Sequence, residues 1–351
     1  MAIPALNDLY RMVAKKVLTE TLAVKRGESI TVETWNNGIE FARNAVAEAR
    51  LRGCKAIMVL EDEKAYIEGV KRSPRDTLGS MGDNEYGMLS NTDVYLFVPG
   101  PLLAAFQTKV KPELMADSTR YNGSWYEAAE KAKLRGARLT FGYVGQEMAG
   151  LMGRTVQQVV DRQLRAALVD FHEISKTAHR LTGHFSDGTE GTISSNGQQI
   201  LFSFKGNVAV EDGVVSREDV ETGDNMTYVP PGFVTSALDP KSATGKIKVS
   251  KSVTRLGLLK EATLTFSEGK LTEWASRENS LMLNELVKAV PDERRRLTLL
   301  NVGINHRMGY LFGQDRMVAG SVTMGGFGFT AVMRDADLVL GGKKVVDGGK
   351  L

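Results

Sequence analysis

The sequence predicts an α/β half that contains a parallel sheet, followed by a mostly antiparallel, β-rich half. Three times in the first half, a glycine ends a helical pattern and is followed by an apolar run. Apolar residues then recur at helical spacing between residues 155 and 181, and past His184 short apolar runs are separated by turn sequences. With 351 residues, the chain exceeds the usual size of a single hydrophobic core, so two domains are expected.

Strands alternate with helices in the first half. The three glycine-led runs are KRGESITVE, LRGCKAIMVLED and LRGARLTFGYV, and Phe41 to Leu51 has the spacing of a helix between the first two. Glycine after the last helical residue is the expected C-cap, and β-branched or aromatic runs are the expected strands. A fourth run, Asp93 to Val98, ends at Pro99–Pro101. This alternation is typical of parallel βαβ units, whose ligands lie beyond the carboxyl ends of the strands, where Pro99–Pro101 falls.

The apolar spacing from Thr155 to about Leu181 predicts one long amphipathic helix that connects the two halves. After it, Asn-Gly, Asp-Gly, Glu-Gly and Pro-Pro-Gly turns favour antiparallel hairpins, interrupted by one helix from Ser280 to Ala289. We therefore expect an α/β domain at residues 1–185, ending in the connector helix, and a β-rich domain at residues 186–351.

The composition excludes several classes of protein. The 45 basic and 42 acidic residues nearly balance and the basic runs are short, so no nucleic-acid partner is expected. No run of about 18 apolar residues occurs, as a membrane span would need, and lysines interrupt the apolar residues near the N-terminus. We therefore expect a soluble, cytoplasmic protein. The single cysteine, Cys54, is expected to be a small buried residue.

The four histidines do not form an obvious metal site. His172 and His179 share a helix face but are seven residues apart, which is two turns or about 10 Å. That separation is too large for one mononuclear site. His184 falls at the end of the same helix, and a solvated role is expected for all three. His306 follows a glycine-containing strand in the β-rich half and is the better candidate for contact with a ligand.

Common catalytic motifs are absent from the sequence. No stretch combines a glycine-rich loop with a Walker lysine, no GxGxxG opens a helix after a strand, and no GxSxG elbow occurs. Carboxylates in the second half remain as candidate acids or bases, although such residues cap turns more often. They are Glu278, Asp315, Asp335 and Asp337.

The order of five short motifs resembles the metallopeptidase family of aminopeptidase T and aminopeptidase S. The motifs are KRGESITV, VPPGFVTSALDPKSATGKI, LNVGIN, GGFGF and DADLVLGGKKVVDGG. The resemblance runs over nearly the whole chain. It implies a two-domain homodimer and an aminopeptidase whose second half holds two metal ions through carboxylates and histidines.

This chain departs from the family at the metal-binding motifs. The family has a glutamate in its Pro-containing motif, whereas this chain has Phe233 after Pro230-Pro231-Gly232. The family's His-x-Asp falls on Gly328-Phe329-Thr330, and its intervening histidine falls near Ser321-Val322-Thr323. The acid expected ahead of Asn305 is also missing. The resemblance therefore implies that the shape of the pocket persists, with Gly325, Gly326 and Gly328 as its floor, but without its cations.

A relative of this family, 2,5-dihydroxypyridine dioxygenase, binds one ferrous ion through a glutamate and a His-x-Asp pair and likewise carries Pro-x-Gly-Phe. Glu278 lies near the place of that glutamate. Because Gly328 and Thr330 stand where the His-x-Asp pair would be, a facial triad cannot be completed from the motif residues.

The leading hypothesis is an aminopeptidase T-like homodimer whose inter-domain cleft binds or processes a small organic or peptide-like substrate without a dinuclear metal site or other cofactor. Acid–base catalysis would fall to Glu278, His306 or Asp315. Arg316 or Arg334 would supply a charge for an anionic substrate. The residues expected to bind substrate are Phe233, Asn305, Thr323, Phe327, Phe329, Thr330 and Arg334.

Two alternatives remain open at the level of sequence. In the first, the chain is a working aminopeptidase that holds a divalent transition metal, such as zinc, cobalt, manganese or iron, through non-motif ligands. Those ligands would be Glu278, Asp315, Asp335 and His306. In the second, the chain is a non-catalytic binding or assembly protein.

Overall fold

The computed structural model describes residues 5–101, 110–111, 114, 117–254, 257–310 and 315–351. The chain divides into two compact units. The first, unit 1, comprises Met1–Leu168 and Gly213–Pro230, and the second, unit 2, comprises Val169–Asp212 and Pro231–Leu351. The division falls before the boundary that the sequence predicts near residue 186, and the chain returns once to unit 1 after entering unit 2. In the part of the chain that the structure describes, no helix is both long and apolar enough to cross a membrane.

Unit 1 is an α/β unit, as the sequence predicts. Its described strands form a five-stranded sheet in the order β2-β1-β3-β4-β7, and every neighbouring pair is parallel. Its strands are β1 (Ser29–Trp35), β2 (Lys55–Glu61), β3 (Val94–Val98), β4 (Arg135–Leu139) and β7 (Met226–Val229). Its helices include α1 (Leu6–Lys16), α2 (Ile39–Leu51), α3 (Glu63–Arg72), α4 (Asp83–Ser90), α5 (Arg120–Ala132), α6 (Gln146–Leu151), α7 (Val156–Ala167) and α9 (Arg217–Thr222).

Helices cover this sheet because its central strands are apolar on both sides. Val94, Leu96 and Val98 on one face of β3 and Tyr95 on the other are all buried, as is typical of a parallel sheet between two helical layers. Leu89 of α4 and Trp125 of α5 form one buried cluster with Tyr95 of β3. A second aromatic cluster joins Tyr10 of α1, Phe41 of α2 and Phe141, with ring centroids 5.0 to 6.2 Å apart.

One of the three predicted glycine caps has the expected position and geometry: Gly53 follows α2 and has φ of +77°, which a glycine adopts without steric cost. Gly27 has φ of +90° but lies in a turn beyond Leu22, where the preceding helical segment ends. The third prediction is wrong, because Lys133 takes the left-handed conformation after α5 and Gly136 lies within β4. A Cβ atom at Gly136 would lie 1.9 Å from the sulfur of Met226 on β7. That glycine therefore allows β7 to pack beside β4.

The single connector helix predicted from Thr155 to Leu181 is also wrong. The structure has two helices, α7 and α8 (Phe171–Thr182), with a break at residues 168–170. Asp170 caps the second helix, since its carboxylate accepts a hydrogen bond of 2.9 Å from the backbone N–H of His172. The apolar spacing continues across the break, but an aspartate N-cap is a start signal that periodicity alone does not reveal.

Unit 2 is built on antiparallel strand pairs, as predicted. Its described strands join in the order β11-β10-β9-β6-β8-β12-β13-β14, with β5, β15 and β16 attached through β6. The strands are β5 (Glu190–Ser195), β6 (Gln198–Glu211), β8 (Phe233–Leu238), β9 (Thr244–Thr254), β10 (Gly257–Ser267), β11 (Lys270–Glu278), β12 (Leu299–Gly303), β13 (Val322–Gly326), β14 (Phe329–Met333), β15 (Asp337–Leu340) and β16 (Lys343–Val346). The late helix, α10 (Ser280–Lys288), lies where the sequence predicts it.

The large sheet of unit 2 curls on itself. The Ser252 hydroxyl of β9 donates a hydrogen bond of 2.8 Å to the carbonyl of Thr330 on β14, the last strand in the order of the sheet. One apolar core fills the curl and includes residues of α8, α10 and most strands. Pairing of β12 with both β8 and β13 places the ends of these three strands close together, where the sequence predicts the site.

Candidate functional site

Three motifs that are distant in sequence meet on neighbouring strands of unit 2. Phe233, at the start of β8, is paired with Gly303 at the end of β12. Asn301 of β12 is paired with Thr323 of β13 on its other side. The ladder thus brings the VPPGF, LNVGIN and GGFGF motifs together, as the resemblance implies.

Asn305 connects the first two motifs. Its side chain is fully buried, and its amide nitrogen donates a hydrogen bond of 2.8 Å to the carbonyl of Pro231. Its amide oxygen accepts hydrogen bonds from the backbone N–H groups of Arg307 (2.9 Å) and Met308 (3.1 Å). Gly232 fits beside it, because a Cβ there would lie 2.5 Å from that of Asn305. The Asn305 side chain therefore holds two turns in place, and the exposed His306 projects from the second of them.

Phe233, which stands where the resemblance implies a metal-binding glutamate, contacts a cationic side chain. The guanidinium carbon of Arg316 is 4.7 Å from the centroid of the Phe233 ring, within the range of a cation–π interaction. The backbone carbonyl of Arg316 accepts a hydrogen bond of 2.9 Å from the Asn301 side chain. Both contacts fix the position of Arg316 beside the start of β8.

A second arginine is tied to the residue that precedes Arg316. Arg334 forms an ion pair of 3.1 Å with Asp315, which precedes Arg316 in the chain and is 4% exposed. The guanidinium carbon of Arg334 also lies 4.1 Å from the centroid of the Tyr310 ring. Burial raises the pKa of the Tyr310 hydroxyl, and the positive charge of Arg334 opposes that rise. We call Phe233, Tyr310, Asp315, Arg316 and Arg334 the basic-aromatic patch.

Two buried hydroxyl groups lie at the start of β13, near the position where the sequence resemblance implies a histidine. Ser321 and Thr323 are 0% and 1% exposed, and their hydroxyl oxygens have no hydrogen-bond partner among the described residues. These are polar groups in an otherwise apolar segment. A buried hydroxyl without a partner costs stability. Thr323 was predicted to bind substrate, and Ser321 was not singled out.

The remaining predicted aromatic and hydroxyl residues lie on the β13–β14 hairpin. The rings of Phe327 and Phe329 stack at 6.0 Å with an interplanar angle of 10°. Phe329 is 2% exposed and belongs to the core, whereas Thr330 is exposed. Phe327 has φ of +44°, which is unusual for a bulky residue and marks a tight turn.

Glu278 lies apart from these residues in the hydrogen-bond network. It is exposed at the end of β11 and forms an ion pair of 2.7 Å with Lys260 on the neighbouring strand β10. Across the described ranges, no hydrogen bond or ion pair joins Glu278 to the basic-aromatic patch.

The residues at the motif positions do not fit a dinuclear metal centre. Phe233, Thr323, Gly328 and Thr330 offer neither carboxylate nor imidazole donors. Within the residues that the structure describes, no group of three or more His, Cys, Asp or Glu side chains could hold a metal ion together. We therefore derive no catalytic step through a metal at this site.

Unit 1 contains a cavity that the sequence did not predict. Its volume is about 540 Å3, within the range of small-molecule sites. Glu33 and Trp35 of β1, Glu61 of β2 and Phe97 of β3 line it at the carboxyl ends of their strands. The sequence placed a ligand beyond such ends but identified no side chains. A signal was present, since Glu33 and Glu61 are acids at the ends of otherwise apolar runs.

Buried carboxylates dominate the chemistry of this cavity. Burial, together with the charges of Glu61 and Glu85, raises the pKa of Glu33 to about 7, although a hydrogen bond from Tyr95 opposes the rise. Burial and the charge of Glu85 also raise the pKa of Glu61. Glu85 is held in place by the Tyr121 hydroxyl, which donates a hydrogen bond of 2.8 Å. A carboxyl group that titrates near neutral pH in a cavity is a functional candidate.

Comparisons with known proteins identify the fold. No protein-family model and no curated protein sequence matches the chain. Wild-type AmpT from Thermus thermophilus is similar in structure, with a TM-score of 0.70 and 12% identity over 99% of each chain. The 2,5-dihydroxypyridine dioxygenase from Pseudomonas putida KT2440 is similar with a TM-score of 0.66 and 13% identity, over 99% of this chain and 98% of that one. The chain therefore has an AmpT-like two-domain fold, as the resemblance in its sequence implies.

Proposed function

We propose that the chain binds a small organic or peptide-like molecule with an anionic group at the basic-aromatic patch, without a dinuclear metal centre. The observation that carries this proposal is the ion pair of Arg334 with Asp315 beside the Arg316–Phe233 contact. Two guanidinium groups held in fixed positions can recognise a carboxylate through paired hydrogen bonds. The rings of Phe233 and Tyr310 supply apolar surface next to those groups.

The absence of metal donors at the motif positions supports the second half of the proposal. In the described part of unit 2, the motif residues make packing contacts and hydrogen bonds among themselves, with Asn305 as the central example. If the chain is catalytic, His306 and Asp315 remain the predicted acid–base groups. Asp315 belongs to the patch and forms a hydrogen bond with Arg334, which makes it a positioning residue for that cation.

Metal analysis and an activity assay test the absence of a dinuclear centre. Protein purified without chelators or a histidine tag should contain well below one equivalent of zinc, cobalt, manganese or iron. It should also release no product from aminoacyl-anilides. About two equivalents of metal, together with chelator-sensitive cleavage, would establish the aminopeptidase alternative and overturn the proposal.

Ligand binding tests the basic-aromatic patch directly. We expect an aromatic carboxylate or an N-acetylated dipeptide to raise the free energy of unfolding, by about 2.7 kcal/mol at 100 times its dissociation constant. Arg316→Ala and Arg334→Ala should abolish the shift. Arg180→Ala is the matched control, because Arg180 is an exposed arginine on α8 of the same unit. Equal shifts in all three variants would place binding elsewhere.

The homodimer and the cytoplasmic location that the sequence suggests belong to the same proposal. Light scattering coupled to gel filtration tests the first of these, and a mass equal to that of one chain would contradict it.

A further inference from the structure

The cavity of unit 1 lies where the strand order of the sheet reverses. The chain passes from β1 to β2 on one side and then crosses to β3 on the other side of β1. In open α/β sheets, the crevice at such a point, beyond the carboxyl ends of the strands, is the general place for a ligand. Glu33 of β1 is paired in register with Phe97 of β3, and both line the cavity.

The charges that line this cavity have one sign. Its charged lining residues are Glu33, Glu61 and Glu85, and none of its described lining residues is a lysine, arginine or histidine. Arg138 lies against the Phe97 ring, 5.5 Å from its centroid, but does not line the cavity. Glu61 has no hydrogen-bond or ion-pair partner among the described side chains and is only partly exposed. A ligand that carries positive charge would relieve the repulsion among these carboxylates.

The walls of the cavity suit an organic cation rather than a metal ion. Its described lining includes the rings of Trp35, Tyr66, Phe97 and Tyr121, and the first two lie with centroids 5.0 Å apart. Aromatic faces attract ammonium groups and also bury the apolar body of an organic ligand. Within the described residues, no three acidic, histidine or cysteine side chains are close enough to share a metal ion.

We propose that the unit 1 cavity binds a small organic ammonium ion, with the charged group among Glu33, Glu61 and Glu85 and its apolar body against Trp35 and Tyr66. This inference goes beyond the function proposed for unit 2 and does not depend on it. The ligand class is a free amine with an aromatic or alkyl body that fits a cavity of about 540 Å3.

Calorimetric titration of the full chain with matched probes tests the charge requirement. The probes are tryptamine, its neutral analogue tryptophol and its anionic analogue indole-3-propionate, with phenethylamine and spermidine as further amines. At pH 8 we expect at least one amine to bind with a stoichiometry of one. For the indole series, tryptamine should bind at least about tenfold more tightly than tryptophol, and indole-3-propionate should not bind.

Two kinds of variant locate the binding site. Glu33→Gln and Glu61→Gln should each weaken amine binding by about tenfold, since each removes a charge-assisted contact. Glu127→Gln, an exposed position on α5, should leave binding unchanged. Gly69 lines the cavity, and a Cβ there would meet open space, so Gly69→Leu should block binding without loss of stability. Gly123→Leu is its control, because Gly123 is an equally open helical position outside the lining.

Several results would overturn the proposal. One is that none of the three amines binds at millimolar concentration. Another is that tryptophol binds as tightly as tryptamine, which would indicate an apolar site without charge recognition. A third is that Gly69→Leu, folded and stable, binds the amine as well as the unaltered chain does. None of these results bears on the anion-binding site of unit 2, because the probes and variants are different.

Discussion

The carboxylate of Glu33 on β1 accepts a hydrogen bond from the hydroxyl group of Tyr95 on β3, beneath the cavity of unit 1. The contact joins two strands at the point where the strand order reverses. Because the group is buried and lies near two other carboxylates, its pKa is raised to about 7. Proton binding at this site is therefore coupled to folding and to ligand binding.

Glu33→Gln should stabilise the protein at pH 8. The folded-state pKa of Glu33 is above the ordinary glutamate value of 4.5, so the folded chain binds this proton more tightly than the unfolded chain does. Stability from this group is complete below pH 4.5 and is lost as the pH rises through about 7. The glutamine carries no charge and can still accept the Tyr95 hydrogen bond, so we expect a gain of roughly 1 to 3 kcal/mol at pH 8. Urea unfolding at pH 8 and pH 5 measures this difference, which should shrink at the lower pH. A glutamine variant less stable than the parent at pH 8 would contradict the pKa assigned to Glu33.

Amine binding in unit 1 should weaken as the pH falls from 8 to 6. Protonation of Glu33 removes one negative charge from the cavity, and the groups that face it are Glu61, Glu85, Tyr95 and Tyr121. Burial raises the pKa of both tyrosines above 10, so neither titrates in this range. We expect an affinity loss of up to about tenfold for the parent chain. Titration of Glu33→Gln over the same range should give a smaller change, and an equal change would assign the effect to another group.

Asn305→Ala should destabilise the chain strongly, because it removes the side-chain partner of the Pro231 carbonyl and of the Arg307 N–H and leaves the Met308 N–H with only the backbone carbonyl of residue 305. Each buried polar group without a partner costs about 1 to 3 kcal/mol, and we expect a total loss of roughly 2 to 4 kcal/mol in the free energy of unfolding. His306→Ala is the neighbouring control. His306 is exposed, and its removal should change stability by about 0.5 kcal/mol or less. Similar losses in the two variants would show that Asn305 does not hold the turns.

The contact of Arg334 with Tyr310 should appear as a coupling energy. We expect a double-mutant cycle with Arg334→Met and Tyr310→Leu to give roughly 0.5 to 1 kcal/mol at low salt, the value typical of a partly exposed cation–π pair. Asp315 must be left intact in all four proteins, because it forms an ion pair with the same guanidinium. A coupling within error of zero would mean that the ring only borders Arg334 and does not hold it.

Periodicity and turn chemistry were sufficient to predict the fold class. The alternation of apolar runs with helical patterns predicted the parallel sheet of unit 1, and the glycine-rich turns after His184 predicted the antiparallel sheet of unit 2. The break between α7 and α8 was missed because Leu168 and Phe171 keep the helical spacing on both sides of Asp170. Local capping by one aspartate outweighed a pattern that extends over the whole segment.

The candidate sites could be predicted only in part. Phe233 on β8 and Thr323 on β13 both lie beside β12, and Asn305 follows β12 closely, whereas their role in substrate binding stays a prediction. The sequence could not show that Asp315 holds Arg334, because the two are 19 residues apart and meet only when the β13–β14 hairpin between them has formed. Glu33 and Glu61 were overlooked because an acid at alternate positions of a strand is the ordinary pattern of a solvated face. That both side chains line the same cavity depends on strand register, which single-sequence patterns do not fix.

The last strand of the unit 1 sheet, β7, comes from residues that follow β5 and β6 in the chain. During synthesis, therefore, the edge of β4 that pairs with β7 stays unpaired until the ribosome has added more than eighty further residues. A fragment truncated at residue 185 would keep that edge permanently exposed, with a ready template for association with other chains. Completion of the first half of this protein thus requires that translation of its second half has already begun.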